Sequence, residues 1–382
     1  MGMKKLLAAG VALAALTFAG SAAAQMKVGV IASATGPVSV VGIPQKNTVA
    51  LLPKEIAGVS VEYVLLDDAS DPTLSVQHVK KLIADKVDAI IGPSGSPNAV
   101  GVIGFVAESG TPMLAPVGTA AVVLPMDDKK KWIFKTTQND DLIAGALVGH
   151  MTKNGVKSVG LIATNDPYGE NWIKTFGAQA QKAGIKIAAE ERFQRTDASV
   201  TGQSLKLLGA NPDAVLIATA GAATVLPHTT LVDQGYKGRI YQTHGAAAPD
   251  FLKLGGKKVE GAVLAASLML VLDEIGDDHP SKKVAGGYVD AYKAAYGAVP
   301  ATFGANVYDA GLLLANAVPA ALKSAKPGTP EFRAALRDAL ETSKELVGTQ
   351  GVFTMTPQDH SGFDERGRVM ITVKDGAWKL LK

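Results

Sequence analysis

What most constrains this chain is a rhythm. Short apolar, β-branched runs alternate with segments of helical period, and the pattern occurs in two successive blocks. The first block has strand candidates at 27–32 (KVGVIA), 59–66 (VSVEYVLL), 87–91, 112–115 and 132–136. The second has them at 157–163 (KSVGLIA), 185–191, 213–218, 238–242 and 261–267. Between strands, apolar residues recur at helical spacing, as with Leu74, Val76, Val79, Leu82 and Ile83 in 73–84. Alternation of this kind builds parallel sheets with right-handed crossovers, and two blocks predict two such sheets. A length of 382 residues suits two domains, and 41 glycines with only 5% aromatics suit closely packed helices and buried strands. The last third changes character, with helices predicted at 279–297, 303–323 and 329–343 and strands near 350–355, 368–373 and 377–381. No Ser/Gly- or Pro-rich linker separates the blocks. Two lobes joined by several crossing segments, with a cleft between them, are therefore expected.

The N-terminus carries a different signal. Lys4 and Lys5 precede an apolar run from Leu6 to Ala19 and the small residues Ala22-Ala23-Ala24, the composition of a cleavable signal peptide. The run is shorter than the ~20 residues of a membrane span, so an exported protein is expected. The absence of cysteine excludes disulfides, thiolate metal sites, a Cys nucleophile and a lipid-modified cysteine. Without Lys4 and Lys5, the 38 basic residues become 36 against 35 acidic. Nucleic-acid binding is therefore not expected. Six histidines, at 78, 150, 228, 244, 279 and 360, show no metal-ligand spacing, and no metal or other cofactor is predicted. Asp67-Asp68 and Asp277-Asp278-His279 read as surface acids.

In open parallel sheets ligands lie beyond the carboxyl ends of the strands. In the first block these ends carry Gly92-Pro93-Ser94-Gly95-Ser96-Pro97 and Pro116-Val117-Gly118-Thr119. Ser96 is predicted to cap a helix with Pro97 as its first residue, and Thr119 to cap a short helix ending at Pro125. Such helix starts bind small carboxylates, though they equally serve as ordinary caps. In the second block the strand ends carry Asn165-Asp166-Pro167-Tyr168, Thr219-Ala220-Gly221 and Thr243-His244-Gly245. Enzyme signatures fit poorly. Around Ser94 a nucleophile elbow would need glycine at 96, which is serine, and GVIGF at 101–105 lies within a predicted helix rather than a dinucleotide turn.

Several segments in order carry a family likeness: KVGVIASATGPVS, DDASDPTLSVQHVKKLI, IIGPSGS, APVGTAA, NDPYGEN, DAVLIATAGAATVLPHTTLVDQGYKG and YDAG at 308–311. The chain resembles type I periplasmic solute-binding proteins of ABC importers, the branched-chain amino acid-binding group. The resemblance implies two doubly wound parallel-sheet α/β lobes joined by three crossovers. Residues 25–142 and 273–349 would form one lobe and 143–272 and 350–382 the other, after a leader at 1–24. It places Ser96 and Thr119, with backbone near Ser94, Val117 and Gly118, at the ligand carboxylate. Tyr168 closes over the ligand from the second lobe, Ala220 and Gly221 leave room, and Phe303 stands near the pocket. His244 departs from the pattern, because amino-acid binders place there a carboxylate that pairs with the ligand's ammonium. Histidine offers donors instead, and an unpartnered ammonium in a closed cleft costs several kcal/mol.

The expectation is a monomeric, non-enzymatic periplasmic receptor for an aromatic or arylalkyl carboxylate, such as a benzoate, phenylpyruvate or hydroxycinnamate. Its partners would be an inner-membrane ABC permease and its ATPase subunits. A branched-chain amino acid or amide receptor is the alternative within the class. From another class, the alternative is a secreted α/β hydrolase using Ser94.

Overall fold

The computed structural model describes residues 25–381; the predicted signal peptide, 1–24, lies outside the described residues. The first lobe contains β1 (Gln25–Ala32), β2 (Glu55–Ile56), β3 (Val59–Asp67), β4 (Ala89–Ile91), β5 (Met113–Ala115) and β6 (Ile133–Lys135). They form one sheet in the order β2-β3-β1-β4-β5-β6. β1 is central, parallel to β3 on one side and to β4 on the other. Its alternate residues feed two cores. Val28 and Val30 pack with Leu313, Leu314, Phe332 and Leu336, while Ile31 packs with Leu82, Val102 and Val106. Each fully buried aliphatic side chain of this kind contributes roughly 1.5–3 kcal/mol. Gly29 is set by the same closeness: a Cβ there would lie 2.5 Å from the Leu82 side chain of helix Pro72–Ala84.

The second lobe contains β7 (Ser158–Thr164), β8 (Lys186–Phe193), β9 (Ala214–Ala218), β10 (Arg239–Gln242) and β11 (Val263–Ala266). The chain then forms a small hairpin of β12 (Leu346–Val347) and β13 (Val352–Phe353). It ends with β14 (Val369–Lys374) and β15 (Ala377–Leu380), giving a sheet of order β15-β14-β11-β10-β9-β7-β8. Every strand read from sequence has its counterpart; only the two-residue strands β2 and β12 escape the reading.

The sheets are mixed rather than wholly parallel. β2 pairs antiparallel with β3, and β14 pairs antiparallel with both β11 and β15. For β2–β3 and β14–β15 the cause is local, because two-residue turns join these neighbours, whereas β14 reaches β11 only after the chain's last crossing between lobes. Ala57-Gly58 has φ of 52° and 81°, and Asp375-Gly376 has 55° and 71°. Such turns return a strand beside its predecessor, whereas a parallel crossover needs a dozen residues.

The chain passes between lobes through 136–139, returns after β11 to helices Thr302–Ala321 and Pro330–Glu341, and crosses again toward β14. The crossing segments are tied together: Gln138 Nε2 donates to Gly367 O at 2.6 Å and Ser281 Oγ to Gly351 O at 3.1 Å. Helix Lys282–Tyr296 bridges the lobes. Tyr288 and Tyr292 pack with Phe251 and Leu264, while their hydroxyls reach Thr48 and Asn47.

One acid read as surface is not. Asp68 is fully buried, accepting from Ser33 Oγ (2.6 Å), Ser75 Oγ (2.7 Å) and Asn98 Nδ2 (2.9 Å). Burial is affordable because hydroxyl and amide donors surround the carboxylate. The clamp fixes the loop after β1 against helix Ser96–Ser109, and so builds one wall of the cleft.

Candidate functional site

A cavity lies between the lobes at the carboxyl ends of the central strands, where a doubly wound sheet holds ligands. Ser94, Ser96, Val117 and Gly118 line it from the first lobe, and Tyr168, Ala220 and His244 from the second, with Phe303 beside them. Two predicted residues stand apart from this lining. Thr119 is fully buried and its hydroxyl accepts from the Ala121 amide at 3.2 Å, capping a single 3-10 turn, Ala120–Val122. Gly221, at φ +72°, faces the first-lobe backbone near Pro37.

Ser96 is not the helix cap. Gly95 holds the extended backbone of the cap position, so helix Ser96–Ser109 begins at Ser96 itself and Pro97 follows as its second residue. The Ser96 hydroxyl consequently makes no capping bond. Ser94 Oγ accepts from the Ser33 amide at 2.9 Å, which leaves its proton to donate. Asp166, by contrast, is a true cap. It accepts from the amides of Tyr168 and Gly169 and starts helix Pro167–Lys182, turning Tyr168 inward. The Tyr168 hydroxyl donates to Thr243 Oγ1 at 2.8 Å, so its ring rather than its hydroxyl faces the cavity.

Four further contributors were missed by sequence reasoning. Arg195 follows β8 and lines the cavity; the strand-end rule applied to Gln194-Arg195-Thr196 finds it. Its Nε donates to Asp166 Oδ2 at 2.7 Å and its Nη1 to Ala220 O at 2.9 Å. Asn306 lies one turn beyond Phe303 on the same helix face. Asp140 and Lys135, on either side of the first crossing, are both fully buried. Lys135 Nζ donates to Gly118 O at 2.5 Å and Gln138 O at 3.3 Å. Asp140 Oδ2 accepts from Asn171 Nδ2 at 2.6 Å, while Oδ1 has no hydrogen-bond partner and lies 3.4 Å from His244 Nε2. Adjacent acidic residues at a helix start gave no signal of that role.

Burial dominates the electrostatics here. It pushes the Asp140 carboxyl up against the pull of Lys135, and pushes the Lys135 ammonium down. It takes the His244 imidazole down to about 3, with Lys135 adding repulsion, so His244 is neutral at ordinary pH. Gly118 sits where these groups converge. A Cβ on it would lie 2.4 Å from His244 Nε2, 2.9 Å from Asp140 Oδ1 and 2.9 Å from Tyr168 Cε2.

The cavity measures about 40 Å³. A single water requires roughly 10–15 Å³, so the lobes are nearly shut, and a larger ligand is admitted only by moving them or their side chains. Among the described residues Ser94 is not paired with a base: its Oγ accepts from the Ser33 amide, and neither nitrogen of His244 is hydrogen-bonded. The arrangement is built to enclose a molecule between hinged lobes rather than to attack it.

Fold and cleft together define a two-lobed solute receptor. The chain belongs to the periplasmic binding protein family: the profile described as "Periplasmic binding protein" matches residues 25–377. It is 26% identical to a Leu/Ile/Val-binding protein homolog of Brucella melitensis over 68% of this chain and 72% of that one. It is 24% identical to the leucine-, isoleucine-, valine-, threonine-, and alanine-binding protein of Pseudomonas aeruginosa over 94% and 91%. Among solved structures, an extracellular ligand-binding receptor from Rhodopseudomonas palustris HaA2 superposes with a TM-score of 0.91 at 48% identity, covering 94% of this chain and 100% of that one. Members of the family are periplasmic, non-enzymatic substrate-binding receptors. No helix among the described residues is long and apolar enough to cross a membrane.

Proposed function

We propose that this receptor binds an organic carboxylate with an apolar, aromatic body and no α-ammonium, and delivers it to an ABC permease and its ATPase subunits. One observation carries the reading. The charged residue lining the cavity is a cation, Arg195, and no Asp or Glu among the described residues lines it. The remaining polar lining suits an anion. Ser94 and Ser96 present hydroxyl donors, His244 is a neutral donor, and Asn306 Nδ2 is not engaged by the bond its Oδ1 accepts from Gln350. Val41 and Phe303, which pack together with Ala248, and the ring of Tyr168 supply an apolar wall.

A branched-chain amino acid is the second reading, and a specific observation favours it. The unpartnered Asp140 Oδ1 stands behind His244, so an acid is present after all, one layer back from the slot His244 fills. The named specificities of the Brucella and Pseudomonas relatives point the same way.

Thermal unfolding with benzoate, 4-hydroxybenzoate, phenylpyruvate, coumarate, leucine and isoleucine separates the two. A ligand at a hundred times its Kd stabilises by about 2.7 kcal/mol, a shift of several degrees. Stabilisation by aromatic acids and not by leucine or isoleucine is expected. Stabilisation by leucine or isoleucine alone would refute the aromatic-acid reading.

A further inference from the structure

A second cavity lies wholly within the second lobe, between helix Asp140–Lys153 and strands β11 and β14, and measures about 670 Å³. That is a size typical of small-molecule pockets. Gly145 and Gly149, one helical turn apart, line it, and a Cβ on Gly149 would meet nothing within 4 Å. Met370, from β14, forms part of an apolar floor. The rim is cationic: Lys153, Arg239 and Arg368 line it, and no Asp or Glu among the described residues does.

The charges are poorly neutralised. Neither Lys153 nor Arg239 has an ion pair among the described residues. Arg368 pairs at 2.9 Å with Glu365, which is largely exposed, and its Nε is buried without a hydrogen-bond partner. His150, also on the rim, holds its Nδ1 against the Tyr241 hydroxyl at 3.0 Å, and burial together with Arg239 and Lys153 lowers its pKa. A chain with 38 basic and 35 acidic residues has no general surplus to spread here, so the concentration is local.

We propose that this groove is a second small-molecule site, taking an organic anion with two or more negative charges and an apolar body. Its charges would meet Lys153 and Arg239 at one end and Arg368 at the other, with the body over Gly149 and Met370. The groove runs from Arg239, which opens β10, to Arg368 beside the carboxyl end of β11, and it shares no lining residue with the cleft. Occupation of one does not block the other.

Isothermal titration of the full mature chain with naphthalene disulfonate tests this, with sodium sulfate as the anion lacking an apolar body. One-to-one binding is expected, stronger than sulfate and undiminished in Ser96→Ala. Lys153→Gln with Arg239→Gln should raise Kd about tenfold, the loss of two partly exposed ion pairs. Gly149→Leu fills the groove while keeping every charge and should abolish binding, with unchanged circular dichroism showing that the helix is kept. No binding to the parent protein, or equal binding by both groove variants, would overturn the proposal. So would loss of binding in Ser96→Ala, which would move the ligand into the cleft.

Discussion

Replacing Gly118 with alanine isolates closure from folding. Gly118 follows β5 of the first lobe, whereas Tyr168 and His244, which its Cβ would strike, follow β7 and β10 of the second, and Asp140 opens the helix after the first crossing. A carbon 2.4 Å from His244 Nε2 sits about 1 Å inside ordinary contact, which begins near 3.4 Å. Gly118 has no positive φ, so alanine is tolerated by the backbone, and the clash exists only when the lobes meet. Overpacking of this kind costs typically 1–3 kcal/mol. Charged entirely to the closed state, it raises Kd roughly five- to 150-fold. The ligand-free melting temperature should stay within the roughly 0.5 kcal/mol range of a neutral substitution. Titration calorimetry with 4-hydroxybenzoate and leucine reads the first quantity, calorimetric unfolding the second. Small-angle scattering should show a larger radius of gyration for the ligand-free variant. An equal loss of unfolding stability, or wild-type affinity with unchanged scattering, would refute the reasoning.

Arg195→Gln should lower the preference for benzoate over benzamide at least about tenfold, since a hydrogen bond to a charged group is worth roughly 1.5–3 kcal/mol; competition titrations measure that ratio. Asp140→Asn leaves Lys135 buried without its counter-charge and should cost roughly 3–5 kcal/mol in urea unfolding. Adding Lys135→Met should recover most of that, and a double variant no better than the single one would count against the pairing. For pH, His244 has a folded pKa of about 3 against an ordinary 6.5. The unfolded chain therefore takes up the proton first, and stability is lost as pH falls below 6.5, by about 2 kcal/mol at pH 5. His244→Gln should flatten the melting temperature between pH 6.5 and 5; an unaltered slope would assign the acid sensitivity elsewhere.

The lobes were legible because both faces of their strands are buried, and the resulting continuous apolar runs survive any detail of packing. β1 and β9 show this directly, each reading as a short β-branched run followed by a turn. The cleft lining was legible for the same reason: strand ends are fixed by strand positions, so Ser94, Tyr168, Ala220 and His244 converge once the sheets exist. What escaped depends on side-chain partners. Asp68 looks like half of a surface acid pair until Ser33, Ser75 and Asn98, from three separate segments, close around it. Ser96 was misplaced by one residue because glycine and serine both cap helices, and only the backbone at Gly95 decides between them. Asp140 is the costliest omission. Its neighbours Asn171 and His244 are 31 and 104 positions away, and no local spacing announces them.

That omission changes what His244 excludes. An acid absent from one strand end does not make the site free of acid, since Asp140 approaches from the crossing segment. Two facts still favour an anionic ligand. Asp140 lies behind His244, and burial pushes its carboxyl up against the pull of Lys135, which makes it a poor partner for a ligand ammonium. Arg195 is answered by Asp166, but a guanidinium has five donors and only Nε and Nη1 are committed. Arg195 and Asp166 form an ion pair, so on the proposed reading a carboxylate would be held through oriented donors rather than a net counter-charge. Recognition of this kind follows hydrogen-bond geometry. A carboxylate that accepts two or three such bonds stays ionised even when dry, whereas an ammonium in the same place finds Asp140 only one layer back, behind the His244 ring. The double variant Asp140→Asn with Lys135→Met is thus also a test of ligand class: it should leave aromatic-acid binding within about threefold, by the argument that a self-contained pair is replaceable, while amino-acid binding that depends on Asp140 would vanish.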